Sequence, residues 1–395
     1  MNKSVENLEE EAPLIGLKNL VYQERKKILN FSLLRKSQKS VIIDSHPKYG
    51  KFIKLDDVIV AVDHWNPHAD IIYVSHAHMD HIPIFNKKIR EGLDNEDIRK
   101  WFLCSKITKD IAEERTRNHF TFPESMWLLG KKLDKRNEVE IKGVRLKLTE
   151  NGHTYGSNSL LLEGSEKILY TSDFITETRT FSNDTILKGL EVVECNRLIT
   201  ECTFGNPRFK FPSFSKIQTD VNNYISSELS KGNPVILLGY AFGKSQYLLN
   251  MLDLEKLDTK VLLDRNIAKL TKILESNEIK FNGWEPYSNY NKTQLKKDGN
   301  YVLIIPNYSM FREPYKTLIS HGAKVASFSG KVFIESFRDK FPSDKYIAYS
   351  DHCDYNDLLC FIDRINPKEI YLEHGEIYNF FYSLHKYHED ITIKL

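Results

Sequence analysis

Three histidines and a carboxylate stand within one short segment of the chain, residues 75–81 with the sequence SHAHMDH. Such a His-x-His-x-Asp-His pattern arises by chance on the order of once in a thousand sequences of this composition. Because alternate residues after a strand point the same way, His76 and His78 can reach one metal ion together. The turn that follows presents Asp80 and His81 to a second ion, and imidazole with carboxylate suits zinc. The segment therefore predicts a metal site.

One loop cannot saturate two metal ions, so other parts of the chain must supply ligands. His153 stands in residues 151–157 (NGHTYGS), where two glycines allow the backbone to approach a bound ion or phosphate closely. Asp173 follows an apolar run and can bridge two cations through its two carboxylate oxygens. His374 occupies a similar position near the end of the chain. Each signal is weak singly, but together they predict a shared metal centre.

The candidate ligands stand where short apolar runs end. Runs this short, bounded by turn residues, indicate buried strands rather than helices. Side chains at strand ends can be gathered by loops at one edge of a rigid sheet. A helix is also predicted after Asp354, since its apolar positions are mostly three or four residues apart until Asn366 and Pro367. The runs are 58–62 before Asp63, 71–74 before His76, 168–171 before Asp173, 198–200 before Glu201 and 370–372 before His374.

A second series of elements lies between about residues 206 and 325. Strands are predicted over 234–238, 260–263 and 301–305, with a helix over 244–252. A stretch of this length can bury a small core of its own, so it is predicted to be an inserted domain. Residues 1–205 and 326–395 would then be the two parts of one metal-binding domain.

Composition narrows the class of protein. The 395 residues are 41% hydrophobic, enough for one large domain or two ordinary ones. Residues 1–11 are acidic, and no apolar run approaches the eighteen or so residues that span a bilayer, so a cytoplasmic protein without a membrane partner is expected. The five cysteines show no paired spacing, and disulfides are not expected. The net charge of +2 neither predicts nor excludes a polyanionic partner. The basic clusters within 25–39 and 131–136 are more simply interpreted as solvated protein surface.

The order of these motifs resembles the metallo-β-lactamase superfamily. Further motifs narrow the resemblance to its β-CASP nucleases, the group of the cleavage and polyadenylation endonuclease, RNase J and Artemis. Glu201 in the segment TECTFG is similar to their acidic motif A, His352 in SDHCDY to motif B, and His374 in EHG to motif C. Asp63 resembles the superfamily's first motif, which orders the ligand loop rather than binding metal. The resemblance covers most of the chain from about residue 41 onward.

The resemblance implies an α/β fold: a metallo-β-lactamase αββα sandwich with an inserted β-CASP domain, and two zinc ions as cofactors. It also implies hydrolysis of nucleic-acid phosphodiester bonds by a hydroxide that bridges the ions. His352 would protonate the leaving oxygen, Glu201 would orient its ring, and Asp80 would belong to the catalytic residues as well as to the ligands. The resemblance also implies two ligand sets that share one aspartate. The ligands of one ion would be His76, His78, His153 and Asp173, and those of the other would be Asp80, His81, Asp173 and His374.

Two residues are predicted to contact the substrate. The segment GYAFGKSQ is similar to the point where a strand of the β-CASP domain turns into a helix. Backbone N–H groups at such a helix start attract phosphate, and Lys244 adds a positive charge. Ser157, at the end of the glycine loop that carries His153, is the second predicted contact.

Alternative functions follow from the same residues. A small-molecule hydrolase of this fold would use the same metals but would not need Glu201, His352 or an inserted domain. A non-catalytic scaffold is disfavoured because every ligand position is filled. Among nucleic acids, His374 favours a ribonuclease of the mRNA 3′-end processing or exonuclease type, while the segments TFGNP and GYAFGK look most like prokaryotic DNA exonucleases associated with DNA ligase. Single-stranded RNA is favoured slightly over single-stranded DNA as the partner, and a homodimer is considered as the assembly.

Overall fold

The computed structural model of the chain describes residues 40–46, 50–66, 68–82, 101–116, 137–291, 293, 295, 299–388 and 390–395. Elements are numbered here in chain order within these residues. The strands are β1 (Val41–His46), β2 (Gly50–Leu55), β3 (Val58–Val62), β4 (Ile71–Tyr73), β5 (Trp101–Leu103), β6 (Glu138–Ile141), β7 (Val144–Glu150), β8 (Asn158–Glu163), β9 (Lys167–Tyr170), β10 (Arg179–Thr180), β11 (Ile186–Leu187), β12 (Arg197–Cys202), β13 (Val235–Gly239), β14 (Lys260–Leu263), β15 (Glu285–Pro286), β16 (Tyr301–Pro306), β17 (Lys324–Phe328), β18 (Lys345–Ile347), β19 (Glu369–Gly375) and β20 (Thr392–Lys394). The helices are α1 (Lys106–Thr116), α2 (Phe214–Leu229), α3 (Lys244–Met251), α4 (Leu254–Leu257), α5 (Arg265–Ser276), α6 (Tyr315–Ser320), α7 (Glu335–Lys340), α8 (Tyr355–Ile365) and α9 (Ile377–Tyr387), with 3-10 helices at Tyr287–Asn289, Asn307–Phe311 and Gly330–Phe333.

Two sheets enclose one apolar core between them. The first has the order β1-β2-β3-β4-β5, and the second has the order β20-β19-β12-β9-β8-β7-β6. Side chains from β2 to β5 pack in the same buried cluster as side chains from β7, β8, β9 and β12. Helix α1 packs on the outer face of the first sheet, and α8 and α9 pack on the outer face of the second. The predicted αββα sandwich is confirmed.

The alternation of side chains along β3 explains how one strand serves two layers. Val58, Val60 and Val62 belong to the core between the sheets, whereas Ile59 and Ala61 belong to the cluster on the outer face. Successive side chains of a strand point to opposite faces, so an unbroken apolar run is what a strand buried on both sides requires.

Helix α8 begins and ends where its sequence predicts. The Asp354 side chain accepts a hydrogen bond from the Asp357 backbone N–H, 2.9 Å away. Asn366 closes the helix in the left-handed conformation, with φ of 47°. The buried positions Leu358, Phe361, Ile362 and Ile365 lie along one face.

A third sheet, with six parallel strands, forms between residues 235 and 347. Its order is β15-β14-β16-β13-β17-β18. Three of its strands and α3 lie within one residue of their predicted positions. The predicted end of the insertion, residue 325, falls inside β17, which pairs with β13 and is followed by β18 in the same sheet. We therefore propose that the inserted unit continues through Ile347, after which the chain returns to the second sheet.

The basic clusters within 25–39 and 131–136, which were predicted to be solvated surface, lie outside the described residues. All five cysteines are described, and all are free thiols, as predicted.

Candidate metal centre

Strand ends bring the predicted ligands to one edge of the sandwich. In the second sheet, β9, β12 and β19 are adjacent and parallel. Asp173 follows β9 at their carboxyl ends, Glu201 lies in β12 and His374 in β19. His76 follows β4 of the facing sheet, and the loop between β7 and β8 supplies His153. Parallel strands end at the same edge, so the sheet order itself gathers these side chains.

Four ligand atoms converge on one point. His78 Nδ1 lies 3.1 Å from His76 Nε2 and 3.0 Å from His153 Nε2. Asp173 Oδ2 lies 3.7 Å from His76 Nε2 and 3.6 Å from His153 Nε2. Ligand atoms around a tetrahedral zinc ion, with bonds of about 2.0–2.1 Å, are separated by about 3.3 Å. The donor set and its spacing therefore fit zinc.

Asp173 also faces the second predicted ligand set. The same Oδ2 atom lies 3.5 Å from His81 Nε2, so one carboxylate oxygen is close to imidazoles of both sets. His81 Nε2 lies 3.8 Å from Asp80 Oδ2, and the rings of His81 and His374 are 5.5 Å apart. The Asp80 side chain is 83% exposed, so this second set is the more open of the two.

In His153 and His78, a hydrogen bond from one ring nitrogen to a backbone carbonyl fixes which nitrogen faces the metal centre. His153 Nδ1 donates to the Asp351 carbonyl at 2.8 Å, and His78 Nε2 donates to the Phe242 carbonyl at 3.2 Å. In each ring the other nitrogen is then free to bind a metal ion. The protein thus holds these imidazoles in the tautomer that a ligand requires.

Asp63 organises the loop that carries the histidine cluster. It lies in the left-handed region with φ of 54° and is buried. Its carboxylate accepts from the Ser75 backbone N–H at 2.7 Å and from the Ser75 hydroxyl at 2.8 Å. It also accepts from His81 Nδ1 at 2.9 Å, which leaves His81 Nε2 facing Asp173. Ser75 Oγ in turn accepts from His76 Nδ1 at 2.9 Å.

We expect Asp63→Asn to fold but to weaken zinc binding about 10- to 100-fold, as is usual when a ligating histidine loses its carboxylate partner. The asparagine can keep one oxygen towards Ser75, but its amide N–H would face the N–H of His81. Competition with a chromogenic chelator measures the affinity. Asp57→Asn, at an exposed turn nearby, is the matched control. Equal zinc affinity in both variants would contradict this role.

Burial and charge set the protonation of the cluster. Burial lowers the pKa of His76 and of His78 well below the usual value, and neighbouring imidazoles lower both further. Burial alone would raise the pKa of Asp173, but the surrounding histidines, His81 first, hold it well below its usual range. Neutral imidazoles at His76 and His78 beside an ionised Asp173 are the protonation state in which these groups bind metal. His81 differs, because the effect of its burial is outweighed by Asp173 and Asp63, which raise its pKa to about 9.

His352 and Glu201 form a hydrogen-bonded pair beside the cluster. His352 Nδ1 donates to Glu201 Oε2 at 2.8 Å, and its ring lies 4.6 Å from that of His153. Burial lowers the pKa of His352, but the carboxylates of Glu201 and Asp173 outweigh burial and raise it to about 9. Glu201 is further fixed by the Phe174 N–H at 2.9 Å and by the Thr203 hydroxyl.

The centre allows more than one grouping of its donors. Two other sets among the described residues also have ligand atoms within 4.8 Å of one another, His153 with Asp351 and His352, and Asp173 with Glu201 and His352. Both include His352, so a role of His352 in metal binding has to be tested against a role in proton transfer.

The two predicted substrate contacts are buried. Lys244 begins α3, and its Nζ lies 3.1 Å from Asp351 Oδ1 in an ion pair that is almost fully enclosed. The Ser157 hydroxyl donates to Asn151 Oδ1 at 2.5 Å and accepts from the Thr154 N–H at 2.9 Å. Neither side chain points into open space. We propose that both order the centre, and that the substrate is held by other groups.

Sequence reasoning missed Asp351. Its carbonyl accepts from His153, and its carboxylate joins Lys244 of the inserted sheet's helix to the centre. Burial raises its pKa, but Lys244 holds it well below the usual range. The only sequence signal was its position next to His352. The carbonyl of Phe242, which holds His78, left no signal at all, because a backbone group has no residue-type signature.

Within the described ranges, no helix has both the length and the apolar character that crossing a bilayer requires.

Comparison with known proteins gives matches of several kinds. A family model described as the Zn-dependent metallo-hydrolase RNA specificity domain matches residues 344–380, which include His352 and His374. A solved structure of a protein of unknown function from Enterococcus faecalis shares the fold, with a TM-score of 0.50 at 18% identity, over 82% of this chain and 78% of that one.

Three curated relatives show the range of names. A probable DNA ligase of Opitutus terrae is 28% identical over 77% of this chain and 26% of its own length. An RNase J-like protein of Methanocaldococcus jannaschii is 25% identical over 84% of this chain and 85% of its own. The endoribonuclease YSH1 of Yarrowia lipolytica is 22% identical over 78% of this chain and 44% of its own. The chain therefore spans about a quarter of the first relative, most of the second and less than half of the third.

Proposed function

We propose, on the premise that this chain belongs to the β-CASP nucleases of the metallo-β-lactamase superfamily, that it is a two-zinc hydrolase of phosphodiester bonds in single-stranded RNA. The observation that carries the proposal is the Glu201–His352 pair beside the histidine cluster. A metal-dependent hydrolase of small thioesters or lactams has no use for a second proton donor at this place.

The Glu201–His352 pair can assist departure of the sugar oxygen from the phosphate. Zinc ions, when bound, would lower the pKa of a water molecule towards neutrality and neutralise charge on the phosphate. The chain's own groups then have to deliver a proton to the leaving oxygen. His352 carries one on Nε2, while its Nδ1–H is held by Glu201, and 19% of its side chain remains exposed for the substrate. Glu201 keeps the ring oriented and favours its charged form.

The choice of RNA over DNA rests on the relatives. The matched family model is described as an RNA specificity domain, and the relatives that share most of their length with this chain are named as RNases. The ligase-named relative of Opitutus terrae has a higher identity than these RNases but overlaps this chain with about a quarter of its length. DNA is therefore the alternative substrate.

The test is incubation of the zinc-loaded protein with end-labelled single-stranded RNA and DNA side by side. We expect RNA to be cleaved faster than DNA of the same sequence, with cleavage abolished by a chelator and restored by zinc. A second variant, Glu201→Gln, keeps the size of the side chain but weakens the charge that favours protonated His352, so it should cleave RNA more slowly than the unchanged protein. Faster cleavage of DNA would reverse the substrate, and no cleavage of either by the zinc-loaded protein would refute the proposal.

A further inference from the structure

A line of aromatic rings leads from His352 to the protein surface. The ring of Phe204 meets that of His352 edge to face, with centroids 6.0 Å apart. Phe211 packs edge to face on Phe204 at 5.0 Å. Phe333 then lies nearly parallel to Phe211, with centroids 6.3 Å apart and planes inclined by 11°. Phe333 is 47% exposed, so the line ends in an aromatic face open to solvent.

The line is held rigidly to the segment that carries His352. The Phe211 N–H donates to the carboxylate of Asp354 at 3.0 Å, and the Tyr355 N–H donates to the Phe209 carbonyl at 3.2 Å. Gly330 begins the 3-10 helix that ends at Phe333, and a Cβ atom there would collide with the ring of Phe204. The aromatic surface therefore keeps a fixed position relative to the proposed proton donor.

We propose that Phe333 and Phe211 form a stacking platform for a nucleobase of the substrate, at the outer end of the line of rings that starts at His352. The proposal rests on the proposed nuclease function and adds the site that positions the strand. Nonspecific binding of single strands combines aromatic faces for bases with positive charge for the backbone. Lys210 and Lys331 are exposed and lie one and two residues from the platform rings. An exposed aromatic face with lysines near it in the chain fits a nucleobase better than it fits a phosphate group.

A matched aromatic pair elsewhere provides the control. Phe311 is 50% exposed and lies over Phe341 at the same 6.3 Å, with planes inclined by 27°. Its ring packs on Phe341 and is not part of the line that leads to His352. Truncating Phe311 removes an equally exposed phenylalanine without touching the line of rings.

The test measures binding of a short, fluorescently labelled single-stranded oligonucleotide with cleavage-resistant phosphorothioate linkages to the zinc-loaded protein. We expect Phe333→Ala to weaken binding roughly 5- to 150-fold, the span for loss of one base-stacking aromatic residue, and Phe333→Tyr to bind nearly as tightly as the unchanged protein. Phe311→Ala should bind as the unchanged protein does. On an oligonucleotide of abasic sugars, Phe333→Ala and the unchanged protein should bind alike, because no base is there to stack.

Two outcomes would overturn the platform. One is equal affinity of Phe333→Ala and the unchanged protein for the intact oligonucleotide. The other is equal weakening of Phe333→Ala on intact and abasic strands, which would assign the ring a structural role or a protein partner. If either result is obtained and the unchanged protein still cleaves RNA, the stacking platform is contradicted and the proposed nuclease function is not. If the unchanged protein neither binds nor cleaves nucleic acid, the proposed function fails first.

Discussion

The Asp80→Ala/His81→Ala double variant should hold about one metal ion per chain where the intact protein holds two, and its cleavage of nucleic acid should fall below detection. His81 Nε2 lies 3.5 Å from Asp173 Oδ2 and 3.8 Å from Asp80 Oδ2, while His76 and His153 approach the same Asp173 oxygen at 3.7 and 3.6 Å. The first set stays complete in this variant, because none of its ligand atoms comes from the changed residues. Elemental analysis of the purified protein counts the ions.

Met79→Ala is the control for this variant, since Met79 directly precedes the two changed residues and is exposed. It should keep two ions and full cleavage. Two ions per chain in the double variant would show that the second site uses other ligands. One ion with unimpaired cleavage would mean that a single ion is enough for the reaction.

His352→Ala should lose roughly 10²- to 10⁴-fold in kcat, the usual span for removal of a general acid, while it keeps near-normal zinc content. Its Nδ1–H is already given to Glu201, so the proton for the leaving oxygen has to come from Nε2. His78→Ala, by contrast, removes an atom that lies within 3.1 Å of two other ligand atoms. This second variant should lose metal and activity together.

A nitrophenyl phosphodiester separates proton donation from every other role of His352. Its phenolate is stable enough to leave without a proton, so His352→Ala should be largely restored on this substrate. Equal impairment on both substrates would mean that His352 positions the phosphate instead. Loss of zinc from His352→Ala would instead favour the groupings in which His352 is itself a ligand.

Local sequence was sufficient for the elements that end at the ligands. A run such as 58–62 is apolar at every position, and only a strand buried on both faces fits it, which is what β3 is. The start of α8 was equally plain, because Asp354 caps the helix through a contact only three residues away. The joint appearance of His76, His78, His153 and Asp173 then predicted a shared centre, and the folded chain brings these four together.

Local sequence did not determine the features that depend on contacts between distant parts of the chain. The charge of Lys244 predicted a phosphate contact, but Lys244 is buried against Asp351, 107 positions later, and burial of a lysine is tolerated only with such a partner. Likewise, the end of the inserted unit depends on which sheet β17 and β18 join, and strand pairing between distant segments has no local signature.

The sequence by itself thus determined which residue types are available for metal binding and which strands end beside them, because periodicity and side-chain chemistry are local properties. Only the tertiary structure decided that one oxygen of Asp173 is close to imidazoles of both ligand sets, that Lys244 and Ser157 are enclosed, and that Phe204, Phe211 and Phe333 form a path to His352. The physical reason is that burial and partnership are set by the packing of segments far apart in the chain, and a side chain's role changes when a partner takes its charge or its hydrogen bonds.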